Sequence, residues 1–97
     1  MKKKTVISCD YKEIEQLAEK VFECKDYDFP AAQECGNDSS HLFKVGPLSD
    51  FQVKYDANNI DLIKSGEVPN GCNGLLLNLL HEAGELEAGD YVVRVSW

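Results

Sequence analysis

The segment from Asp10 to Cys24 constrains the fold more than any other part of this chain. Tyr11, Ile14, Leu17, Ala18, Val21 and Phe22 recur at helical spacing, while Lys12, Glu13, Glu15, Gln16, Glu19, Lys20 and Glu23 take the other side. A stripe of that period is stable only if its apolar side packs against another element. Asp10 stands where an N-cap carboxylate accepts a first-turn N–H, and Glu13, three residues on, completes a capping-box pattern. The spacing predicts one long helix over Tyr11–Cys24.

Around it the chain reads as short strands, turns and lesser helices. Thr5–Cys9, with β-branched Thr5, Val6 and Ile7, predicts a strand leading into the long helix. His41–Val45 alternates, Gly46-Pro47 turns, and Phe51, Val53 and Tyr55 alternate again, which predicts an antiparallel pair. Tyr91–Ser96 predicts a final strand. A short helix is expected near Phe29, with Pro30 in its first turn and Gly36 at its end. Residues 57–65 suit either a short helix stopped by Gly66 or another strand. Gly74–Ala83 predicts a second helix, capped by Asn73 and stopped by Gly84. The expected fold class is α+β. An antiparallel sheet of three or four strands carries one long and one or two shorter helices, in a single domain over residues 1–97 with residues 1–4 as a mobile tip.

With 97 residues, 43% of them hydrophobic, the chain suffices for one modest core. No apolar run approaches the roughly 18 residues of a membrane span. The apolar part of Met1–Ile7 is too short for a secretory signal, so a cytoplasmic location is expected and no membrane partner. Cys9, Cys24, Cys35 and Cys72 form no Cys-x-x-Cys pair, and buried or idle thiols in a reducing compartment are the reading.

Charge excludes more than composition does. Seventeen acids face ten bases, a net of −7, and three of the bases are Lys2, Lys3 and Lys4. From Thr5 onward 17 acids therefore face seven bases, a net of −10. Phosphate contacts need a basic face, so direct nucleic-acid binding is excluded and a basic partner is favoured.

The candidate chemical motifs are weak. His81-Glu82-Ala83-Gly84-Glu85 has one histidine where a zinc protease pattern has two, and two ligands do not make a metal site. Asn70-Gly71-Cys72-Asn73-Gly74 before a helix lacks the lysine of a P-loop and the spacing of a dinucleotide fingerprint, so it reads as turn and cap. No cysteine carries the surroundings of an activated nucleophile, and a small Cys/His enzyme ranks last among the functions considered. No cofactor is expected.

The acidic distribution points elsewhere. Residues 10–38 hold nine acids against three lysines. Glu15, Glu19 and Glu23 follow at i, i+4 and i+8, which on a continuous helix lines one edge. Asp26, Tyr27, Asp28 and Phe29 interleave acids with aromatic side chains that suit interface anchors. Glu34 and Asp38 extend the acidic stretch, and Glu82, Glu85, Glu87 and Asp90 form a second cluster without a base. The plainest account is a solvated face, supported by Lys12 and Lys20, each three residues before an acid. The functional account makes Glu15, Glu19, Glu23, Asp26, Tyr27, Asp28, Phe29, Glu34, Asp38, Glu82, Glu85 and Glu87 a surface that imitates a phosphate backbone. Such a surface pairs with lysines and arginines on a basic nucleic-acid-binding protein.

In length, acidity, the Asp10–Glu23 acidic helix, the Asp26-Tyr27-Asp28 stretch and the closing Glu85–Trp97 segment, the chain resembles small DNA-mimicking anti-CRISPR proteins of the type I-F inhibitor class. The resemblance implies a phage or prophage inhibitor that blocks the nucleic-acid-binding site of a type I-F CRISPR surveillance complex. An acidic immunity protein or antitoxin that plugs a basic nuclease toxin is the alternative.

Overall fold

The last strand of the chain lies in the middle of the sheet. The computed structural model describes residues 6–33, 36 and 38–96. In chain order its elements are β1 (Val6–Asp10), α1 (Tyr11–Phe22), α2 (Phe29–Gln33), β2 (Ser39–Val45), α3 (Asp50–Tyr55), α4 (Ala57–Lys64), α5 (Asn73–Glu82) and β3 (Gly89–Val95). The strand order is β1-β3-β2. β3 runs parallel to β1, with Ile7 opposite Tyr91 and Cys9 opposite Val93. It runs antiparallel to β2, with His41 opposite Val93 and Phe43 opposite Tyr91. The fold is α+β as expected, but the sheet is mixed rather than antiparallel, and the described residues form five helices where one long and one or two shorter were expected. A parallel partner for β1 needs a long crossover, and five helices and a strand intervene before β3.

Period-two alternation sorts the side chains onto two faces. Tyr91, Val93 and Val95 of β3 and Val45 of β2 are buried on one face, beneath Ile14 and Ala18 of α1 and the leucines of α5. Helix α5 buries Leu75, Leu76, Leu77, Leu79 and Leu80, more than one stripe of its surface, and so sits centrally between the sheet and the other helices. On the other face Val6, Ser8, Asp10, Ser40, Leu42, Lys44 and Arg94 are exposed.

Helix α1 begins where the capping pattern places it. The Asp10 carboxylate accepts the Lys12 N–H at 2.9 Å, and the same residue ends β1, so strand and helix join without a loop. The helix stops at Phe22, two residues short of the expected end, because Glu23 takes a left-handed backbone with φ of 58°. Its N–H donates to Glu19 O at 3.0 Å, and the Cys24 N–H donates to Ala18 O at 3.3 Å. Gly66 seals this end. Its φ is +104°, and a Cβ there would lie 3.1 Å from the Glu23 carbonyl oxygen.

Residues 51–55 are a helix, not the expected strand. Ser49 Oγ accepts the Gln52 N–H at 3.1 Å, and Asp50 sits favourably in the first turn. The alternating Phe51, Val53 and Tyr55 are all exposed, so the alternation marks no buried sheet face; β2 takes β3 as its partner instead. Residues 57–64 resolve as helix α4, burying Ile60 and Ile63. Asn73 does not cap α5. It is the first residue of that helix and is itself buried, with its side chain turned to the loop before α2.

A carboxylate-lined loop as candidate functional site

The link from α1 to α2, residues 23–28, is tied down from beneath and acidic on top. Cys24 is buried, and its thiol lies 3.8 Å from the Ile63 carbonyl oxygen. The Tyr27 hydroxyl donates to Asn73 Oδ1 at 2.6 Å, and Asn73 Nδ2 donates to Phe29 O at 3.5 Å. The Phe29 N–H donates to Glu15 Oε2 at 2.9 Å, and Asp28 Oδ1 accepts the Ala31 N–H at 3.4 Å in the first turn of α2. Phe29 itself is 0% exposed and packs edge-on against Phe43, ring centroids 6.0 Å apart. These ties leave Asp26 and Asp28 exposed on a backbone held at several points.

Two open depressions flank the loop. One, about 440 Å³, has Asp26, Asp28 and Glu67 along its walls, with Tyr27, Val68 and Asn70. The other, about 560 Å³, has Glu15, Asp26, Asp28 and Lys25, with Tyr11 and Pro30. Burial holds the Glu15 carboxyl above its ordinary range. The Phe29 N–H opposes that shift, while the negative charge of Asp28 adds to it. Burial pushes the Tyr27 hydroxyl upward too, reinforced by Glu15, so it stays protonated and remains a donor. Both depressions are lined by carboxylates, Asp26 and Asp28 in each, with Glu67 in one and Glu15 in the other, an arrangement that accepts lysine or arginine side chains.

The structure separates the residues that the sequence grouped. Glu15, Asp26, Tyr27 and Asp28 line one depression together. Glu19 is exposed on α1, but Glu23 lies past the helix end, so the expected i, i+4, i+8 edge is broken at its last member. Tyr27 is half-buried and Phe29 fully buried, so neither is the exposed anchor that the interleaved pattern suggested. Phe29 packs against His41 and Phe43 of β2, and Tyr27 lies partly buried against the core with its hydroxyl turned to Asn73 of α5. Glu34 lies outside the described residues. Asp38 is exposed, with a left-handed φ of 59°. Glu82 and Glu87 are exposed, but Glu85 pairs with Lys20 Nζ at 3.2 Å, so tertiary packing gives the second acidic cluster a base. Sequence reasoning missed Glu67. Its one signal was Gly66, whose close approach to the end of α1 brings the next residue beside Asp26.

The other motifs are absorbed by the fold. His81 Nδ1 donates to Leu86 O at 2.8 Å and holds the turn after α5. Among the described residues no group of three or more His, Cys, Asp or Glu stands together as a metal site. Burial raises the Cys9 thiol to about 11, with Glu13 and Asp10 adding to it, and burial raises Cys24 and Cys72 as well. No helix of the described residues is long and apolar enough to cross a membrane. Comparison with known proteins returns no match, whether to a family model, a curated protein or a solved structure.

Proposed function

We propose that this protein acts by binding, presenting the residue 26–28 loop and its flanking carboxylates to a basic nucleic-acid-binding site on another protein. The observation that carries this reading is the placement of Asp26 and Asp28 on a pinned loop between two acid-lined depressions. A carboxylate on a fixed backbone loses little freedom on pairing, so more of the interaction with lysine or arginine is retained. The net charge of −7 adds long-range attraction to a basic target and repulsion from nucleic acid. The partner proposed on the resemblance in length and acidity is a type I-F CRISPR surveillance complex in the host cytoplasm, with the chain as a phage or prophage inhibitor.

The test is direct binding of the chain to purified surveillance complex, with duplex target DNA as competitor. The reading expects that DNA and the protein exclude one another, that association slows steeply with salt, and that Asp26→Lys/Asp28→Lys abolishes binding. Binding unaffected by excess DNA, or an unchanged double variant, overturns the mimicry. Failure to bind this complex, with DNA-competed capture of a nuclease toxin instead, moves the assignment to an immunity protein. Sub-micromolar binding of DNA by the chain itself overturns both.

A further inference from the structure

Among the described residues neither outer edge of the sheet is paired: β3 is central, and no backbone hydrogen bond from another described element reaches the outer side of β1 or β2. Edge strands of monomers are usually shortened, bulged, or interrupted by proline or charge. β2 has seven residues in unbroken register from Ser39 to Val45, contains no proline, and carries one charge, Lys44. At its centre Leu42 is 64% exposed on the uncovered face.

We infer that β2 is a self-pairing edge: two copies of this chain join antiparallel through Ser39–Val45 about a twofold axis at Leu42, making one continuous sheet. In this register Leu42 meets its own copy, Ser40 meets Lys44, and His41 meets Phe43. Within each copy Leu42 lies opposite Val92. Pairing therefore joins the two short rows into one apolar strip running Val92, Leu42, Leu42, Val92 across the junction, which removes leucine surface from water.

Charge selects the occupant and the register. The chain as a whole repels its copies, but the uncovered sheet face carries Asp10 and Asp90 against Lys44 and Arg94, with no net charge. A register setting Lys44 against Lys44 brings like charges together and leaves Leu42 opposite Gly46; the Leu42-centred register does neither. The same operation on β1 centres on Ser8 and pairs Val6 with Asp10, with no apolar strip to gain. An interface of one strand pair is small, so the association is weak and concentration-dependent.

Sedimentation equilibrium of the full chain, from micromolar to about 1 mM, is expected to show a monomer–dimer equilibrium. Leu42→Lys places two ammonium groups on the axis and should weaken dimerisation by at least about tenfold. Its side chain is exposed, so the melting temperature of the dilute monomer should not move. Leu42→Cys should give an oxidised dimer linked through position 42, where paired Cα atoms stand about 5 Å apart. Ser40→Cys should not link to its copy, because two-residue displacement from the axis separates the pair by about 14 Å. A monomer throughout the range, a dimer indifferent to Leu42→Lys, or linkage at position 40 as ready as at 42 overturns the inference.

Discussion

Tyr27 and Asn73 stand 46 positions apart, and the Tyr27 hydroxyl donates a 2.6 Å hydrogen bond to Asn73 Oδ1. Asn73 is the one buried polar residue of the described core, at the first turn of α5. The bond fastens the acidic loop to the central helix, and the Glu15 carboxylate on the Phe29 N–H fastens it to α1.

Tyr27→Phe removes this hydrogen bond, and the loss of one such bond costs about 0.5–1.5 kcal/mol. Asn73→Ala removes both of its bonds to the loop and should cost at least as much. Because the two residues share one interaction, the double variant should lose less than the two single losses added together. Urea denaturation of the four proteins measures this, and strict additivity would show that the bond contributes nothing in solution.

Glu15 sets a pH dependence whose sign follows from its direction of shift. Its carboxyl is raised in the folded chain above the ordinary value of 4.5. Between 4.5 and the raised value the folded state binds more protons than the unfolded state, so this residue's contribution to stability falls as pH rises through that window. Above it the contribution is constant. Glu15→Gln keeps an oxygen for the Phe29 N–H but cannot titrate, so its stability should not show that component of the decline. Glu15→Ala loses the acceptor and should cost about 0.5–1.5 kcal/mol at neutral pH. Unfolding measured from pH 4 to 7 compares the three, and parallel curves for wild type and Glu15→Gln would contradict the assignment.

Cys9 should be a sluggish nucleophile. Its thiol is raised to about 11 by burial, Glu13 and Asp10, and the thiolate is the reactive form. At pH 8 its alkylation should be between about ten- and a hundredfold slower than that of free cysteine, and should accelerate toward pH 11. Peptide-resolved mass spectrometry of the native protein reads this rate. Labelling of Cys9 as fast as free cysteine would show an activated thiol and favour an enzyme.

Gly66→Ala should destabilise by about 1 kcal/mol or more, because it puts an L side chain at φ of +104° and a methyl group 3.1 Å from Glu23 O. Gly46→Ala, with open space around its Cβ position, is the control and should stay within about 0.5 kcal/mol of wild type. Equal chemical-denaturation midpoints for the two variants would contradict the close approach.

Local signals alone determined α1: Asp10 as its cap, the Ile14, Leu17, Ala18 and Val21 stripe, and the acids on its other side are all read within one stretch of chain. The leucine-rich α5 and the final strand were equally legible, since a helix or strand that buries large apolar residues carries its period in its own residues. The net acidity needed no structure at all. Tertiary structure alone decided what depends on groups far apart along the chain. β1 lies parallel to β3 because the sheet completes its centre with the last strand, and no local pattern encodes that order. Phe51, Val53 and Tyr55 alternate as a strand would, yet a six-residue helix that buries none of them satisfies the backbone through Ser49. Tyr27 and Phe29 looked as exposed as their acidic neighbours, because a short aperiodic stretch carries no mark of which side turns inward. Their burial depends on Asn73 and Phe43, and Glu85 becomes paired only when α1 brings Lys20 across from 65 positions away. Cap and period are short-range physics, whereas pairing and burial are settled by whatever the folded chain places alongside.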